Sequence, residues 1–171
     1  YAATPLAPLA FAVLYAALVV VMLTGDGQGG MFVAGVHQAG FEYHRIMLNK
    51  IDHNGTEVWG NNGIYLPADV TAQWDSRPLD LVADGSGGAY IAYRRGYETY
   101  ELYVVGHILA DGSTDWIVPV DQVGTYTGNQ YPEVQIAPGA AGEVYVVYSQ
   151  LRAPDITPGV RYEGDTGVFY P

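Results

Sequence analysis

Two short landmarks recur in the same order along the chain, and they constrain its folding more than any other feature. The first is a turn signal followed at a fixed distance by tryptophan. It occurs as Asn54-Gly55-Thr56-Glu57-Val58-Trp59 and again as Asp111-Gly112-Ser113-Thr114-Asp115-Trp116, with the tryptophans 57 residues apart. The second is a glycine-rich turn, Asp26-Gly27-Gln28-Gly29-Gly30 and Asp84-Gly85-Ser86-Gly87-Gly88, with a degenerate third copy at Pro138-Gly139-Ala140-Ala141-Gly142. Landmarks that repeat in fixed order mark an internal repeat, so the chain is built from copies of one supersecondary unit.

Asn-Gly and Asp-Gly are strong hairpin signals, because a type I′ turn needs two residues that tolerate positive φ. The stretches between the turns are short and rich in valine, isoleucine and tyrosine, which suit a pleated, half-buried surface. In the second copy Pro78 to Ala83 reads as a strand, with proline at its first position, where no ladder donor is lost. Ala89 to Tyr93, Glu101 to Leu109 and Asp115 to Val118 read as three more. The first copy has the same layout, with strands at Met31 to Val36 and Arg45 to Ile51 and Trp59 on the return strand. The third begins with Pro132 to Ala137 and Glu143 to Tyr148, and then weakens into short strands at Gly159 to Tyr162 and Val168 to Tyr170. The expected fold is therefore all-β, with about three four-stranded antiparallel repeats over residues 25–76, 77–131 and 132–171 of a single domain spanning 25–171.

Residues 1–24 differ in kind. From Leu6 to Leu23 the chain carries no charge, and the first charged residue is Asp26. There is no basic stretch of the sort that opens a signal peptide. The run of 18 residues lies near the lower limit for spanning a bilayer. Pro5 and Pro8 suit a first helical turn, and alanine and leucine propagate helix well. A buried strand over Leu18 to Leu23, just ahead of the Asp26 turn, is the competing reading. Length favours the helix. As an assembly or anchor segment it would present Leu14, Leu18 and Val21, with membrane contact through residues 6–23.

Eighteen acidic residues oppose seven basic ones, for a net charge of −11, and Lys50 is the sole lysine. Such a surface repels nucleic acid, which is excluded as a partner. With no cysteine there is no disulfide, zinc thiolate or cysteine nucleophile. Acidic, tyrosine-rich and lysine-poor composition leans towards an extracellular or cell-surface location.

The stretch Leu48 to Gly60, together with Arg77-Pro78 through Asp84-Gly85-Ser86-Gly87-Gly88-Ala89-Tyr90-Ile91-Ala92-Tyr93, resembles the blade repeats of secreted bacterial β-propeller proteins. The resemblance covers residues 24–150. It implies propeller-type blades, an extracellular setting and a scaffold or binding role. Closed propellers need at least about four blades, and three copies fall short of that. Residues 1–25 resemble the N-terminal helix of type IV-like bacterial and archaeal pilins, without their early glutamate.

No reaction chemistry stands out. Asp52 to Glu57 and Asp111 to Asp115 place oxygens at alternating positions, as a calcium loop does, but they lack the full ligand set and match a plain hairpin better. His37, His44, His53 and His107 have no zinc spacing. There is no Gly-x-Ser-x-Gly elbow and no phosphate loop. Asn54-Gly55-Thr56 is a glycosylation sequon on an exposed turn. Trp59 and Trp116 are expected in equivalent core sites, while Trp74, outside the repeat position, is the residue expected to stack on a ligand. The leading expectation is a non-enzymatic, cofactor-free structural subunit that self-associates, or joins other protein chains, through its apolar segment. The alternatives are a secreted propeller module binding glycan or protein, and a glycoside hydrolase using a carboxylate pair.

Overall fold

The computed structural model describes residues 18–39, 43–66, 74–97, 100–124, 133–139, 142–150 and 163–169. Among the described residues eleven strands run in chain order: β1 (Leu18–Gly25), β2 (Met31–Ala39), β3 (Tyr43–Ile51), β4 (Ile64–Tyr65), β5 (Trp74–Ala83), β6 (Ala89–Gly96), β7 (Tyr100–Ile108), β8 (Thr114–Gly124), β9 (Val134–Pro138), β10 (Val144–Gln150) and β11 (Glu163–Phe169). They form three antiparallel meanders in which each strand pairs with its sequence neighbour: β1-β2-β3-β4, β5-β6-β7-β8 and β9-β10-β11. No helix occurs among the described residues.

The helical reading of the apolar start is corrected over Leu18 to Gly25. This stretch is β1, paired with β2 from Leu18↔His37 through Val21↔Gly35 to Gly25↔Met31. Val19-Val20-Val21 is a β-branched run, and the Asp26–Gly30 turn returns the chain directly onto Met31 to Val36. A paired strand next to a tight turn outweighs the helix propensity of the alanines upstream. Leu18 and Val21 thus stand on a sheet rather than on a projecting helix, and Leu14 lies outside the described residues. The first unit also begins inside the segment set apart as 1–24.

The same local chemistry closes each hairpin. Backbone bonds run from Asp26 N to Gly30 O and from Asp84 N to Gly88 O, and the third copy closes from Gly139 N to Glu143 O. That last bond moves the third turn one residue beyond the register suggested by its glycines. A shift of one residue exchanges the two faces of a strand. Val144 and Val146 accordingly point to the preceding sheet, and Tyr145 and Val147 point away from it. Gly88 is required by close approach: a Cβ there would collide with the Ile108 carbonyl oxygen and lie 2.6 Å from an Asp84 carboxylate oxygen.

Among the described residues, alternation along the strands builds two cores between sheets. Phe32, Ala34, Val36, Ile46 and Leu48 of the first sheet, with Trp59 from the β3–β4 connection rather than from a return strand, meet Leu81, Ala89, Ile91, Tyr93, Val104 and Ile108 of the second. The opposite face of the second sheet, with Tyr90, Ala92, Tyr103 and Val105, meets Val134, Ile136, Val144 and Val146 of the third. β5, at one edge of its sheet, carries much of the inter-sheet contact, touching β1, β2, β3 and β9. The three sheets are therefore stacked face to face in chain order.

Candidate functional site

The hairpin end of the stack carries a repeated electrostatic device. Asp26 Oδ1 accepts the amides of Gln28 and Gly30, both at 2.8 Å, and Lys50 Nζ stands 3.8 Å from its other oxygen. In the second sheet Asp84 accepts the amides of Ser86 and Gly88 and the Ser86 hydroxyl. The position equivalent to Lys50 is His107, since Ile51 pairs with Met31 as Ile108 pairs with Ala89. Its Nε2 lies 3.0 Å from Asp84 and its Nδ1 2.9 Å from Asp115, with the ring stacked on Tyr90 at 4.5 Å. Carboxylates only accept, so both contacts are satisfied when each ring nitrogen carries a proton. Lysine is long enough to do more: Lys50 Nζ also donates to Gly87 O of the next sheet at 2.9 Å and sits over the Phe32 ring.

Burial opposes ionisation of Asp26, yet the Gln28 and Gly30 amides and the Lys50 ammonium outweigh it and hold the carboxyl below its ordinary value. Burial likewise opposes ionisation of Asp84, and His107, the Ser86 hydroxyl and two amides overcome it. A carboxyl depressed in the folded state stabilises the fold above the unfolded-state value, and this contribution is lost as pH falls through the folded value. The urea midpoint is expected to hold at neutral pH and to drop as pH falls below about 4. Asp84→Asn should lower the midpoint at pH 7 and flatten that acid limb. An acid limb as steep as that of the parent protein would contradict the assignment.

The second feature is a cleft of 480 Å³ between the edge strands β5 and β9 of the second and third sheets, lined by Arg77, Leu79, Asp80, Glu133, Val134, Gln135 and Ile136. Asp80 ties its walls together. One carboxylate oxygen accepts the Leu81 amide at 2.8 Å, and the other reaches across 56 residues of sequence to the Ile136 amide at 2.7 Å. The rest of the lining offers groups of both charges and a carboxamide beside aliphatic side chains. Such a surface suits a ligand with several hydrogen-bonding groups.

Beside it a buried ion pair crosses from β6 to β7. Arg94, whose side chain is 1% exposed, donates to Glu101 Oε1 at 3.0 Å, and the Tyr103 hydroxyl donates to Oε2 at 3.0 Å. Burial and the adjoining Glu101 carboxylate push the Tyr103 hydroxyl well above its usual range.

The residues singled out from sequence are dispersed. Asn54 is exposed at the tip of its turn, its amide bonded to Asp52. Trp74 opens β5, with its backbone opposite Gly96, and its side chain lies outside the described residues. Trp59 and Trp116 hold equivalent places, each packed on the core facing the next sheet. Asp52 accepts the amides of Asn54 and Thr56, and Asp111 the amide and hydroxyl of Ser113, so the calcium-like spacing serves the turns themselves. Among the described residues no group of three His, Asp or Glu is placed to hold a metal. His37 packs edge-on against Tyr65, His53 is exposed on the first hairpin, and the side chain of His44 lies outside the described residues. No helix among the described residues is long and apolar enough to cross a membrane. The cleft was missed because its members come from different copies, and the Arg94 cluster because nothing local in the sequence marks a buried arginine. His107 could have been found, since it stands four residues before Asp111 as Lys50 stands four before Asn54.

Comparison with protein-family models, curated proteins and solved structures returns no match, so the functional reading rests on the chain's own geometry.

Proposed function

We propose that this chain is a non-enzymatic extracellular or cell-surface module of propeller-type blades that binds a glycan or protein ligand. The observation that carries this reading is the polar cleft between β5 and β9, held open by stacked sheets and lined by Arg77, Asp80, Glu133 and Gln135. Asp80 has an amide on each carboxylate oxygen, which favours a wall-bracing role over proton transfer. The lining has no aromatic ring, so a sugar here would be held by hydrogen bonds to its hydroxyls rather than by stacking.

Assembly through an apolar N-terminal helix, the first expectation, loses residues 18–24 to β1 and keeps only a shorter segment outside the described residues. The binding reading is therefore preferred. Its test is a panel of neutral and acidic oligosaccharides and extended peptides, screened by ligand-observed NMR on the intact chain. Binding by at least one class is expected, with at least a tenfold loss, about 1.4 kcal/mol, in Gln135→Ala at unchanged melting temperature. Silence across the whole panel, or binding indifferent to Gln135, would sink it.

A further inference from the structure

The aromatic that opens the second strand of each sheet recurs in all three copies. Phe32, Tyr90 and Tyr145 each lie one residue beyond the pair that closes the hairpin, namely Gly25↔Met31, Ala83↔Ala89 and Pro138↔Val144. In the first two sheets this side chain points to the following sheet and is sealed by it: Phe32 is 0% and Tyr90 2% exposed. Two residues on, Ala34 and Ala92 are both fully buried. In the third sheet the same two positions are Tyr145 and Val147, which stand 44% and 48% exposed. The third sheet thus displays, in register, the surface that its two predecessors bury.

What covers that surface within the chain is always the reverse face of another sheet of the same kind. One such face lies at the other end of the stack, where its hairpin end is exposed. On the outer face of the first sheet Leu23 is 55% and Met31 36% exposed, beside a buried cluster of Val33, Met47 and Ile51. By register Leu23 corresponds to Leu81 and Met31 to Ala89, both members of the core between the first two sheets. We infer that the third sheet docks head to tail on the first sheet of a second copy of this chain, Tyr145 and Val147 packing on Leu23 and Met31. This contact repeats the chemistry of both internal interfaces, and apolar burial is its driving force. Two copies would bring six sheets together, within the range that closes a propeller ring. The inference concerns a different surface from the ligand cleft and does not depend on it.

Each copy carries a net charge of −11, so long-range repulsion opposes association, and added salt should strengthen it. The test is sedimentation velocity of the intact chain over a concentration series at low and high salt. Self-association that increases with salt is expected. Tyr145→Glu with Val147→Glu should weaken it on the order of 100-fold, as removal of an interface centre does. Leu23→Glu with Met31→Glu should do the same from the other face. All four positions are exposed, and circular dichroism checks that both variants fold.

Mixing the two variants discriminates further. Each retains one intact face, so a head-to-tail contact predicts heterodimers in the mixture and monomers in each variant alone. A parent chain that stays monomeric at every concentration overturns the inference. So does a Leu23/Met31 variant that still self-associates, because that result would assign the contact to two third sheets face to face.

Discussion

Trp59→Ala is expected to lower the unfolding free energy by about 3–5 kcal/mol, the range for losing a large buried aromatic. Trp59 is 9% exposed and lies in the core between the first two sheets, 5.5 Å from Phe32. Its indole N–H crosses to the next unit and donates to Ala110 O at 3.0 Å, and a Cβ on Gly112 would lie 3.0 Å from its ring. The tryptophan of one hairpin is therefore the floor of the next hairpin. The substitution removes apolar contact, leaves a cavity and strands a carbonyl. Gly112 also has φ of +86°, so Gly112→Ala should be destabilising through both backbone strain and the ring beneath it. Trp116 is only half buried, and its indole N–H has no hydrogen-bond partner among the described residues. Trp116→Ala should cost clearly less. Urea unfolding of the three variants checks the order, and equal losses for the two tryptophans would contradict it.

Arg94→Ala is the second large expected effect, again about 3–5 kcal/mol, because breaking a buried pair leaves an uncompensated charge. Glu101 would be left with the Tyr103 hydroxyl and no guanidinium, in a site closed by the second and third sheets. The penalty belongs to the stranded carboxylate rather than to the pair as a whole. A double variant, Arg94→Met with Glu101→Leu, should therefore recover part of the stability, since an apolar pair can replace a buried ion pair but leaves the Tyr103 hydroxyl without its acceptor. Thermal and urea unfolding of the single and double variants form the measurement. A double variant as unstable as the single one would show that Arg94 acts mainly through other partners.

The two effects differ in how far the sequence foretells them. Trp59 was visible because its spacing from Asn54 is repeated at Asp111 and Trp116, and a hairpin is a local object: its turn residues, closing bonds and return strand lie within about a dozen residues. Arg94 carried no such mark. Its repeat-equivalent in the first sheet is Val36, an ordinary core residue, and nothing local distinguishes a buried arginine from a surface one. Among the candidate site residues, Asn54 was legible as an exposed turn. Asp80, Gln135 and Ile136 were not, because they meet only when the third sheet stacks on the second.

By itself the sequence determined the all-β character, the antiparallel hairpins and the order of the units, since each follows from glycine and aspartate chemistry at turns and from β-branched and aromatic runs between them. Tertiary structure alone decided three things. It took Leu18 to Gly25 into β1 as the partner of Met31 to His37, where length and composition had favoured a helix. It set the third hairpin one residue later than its glycines suggested, turning Tyr145 and Val147 outward. And it assembled the cleft from β5 and β9. Each depends on pairing or stacking between segments whose energy comes from burial across the interface, and a short-range pattern of residue types carries no record of which surfaces will meet.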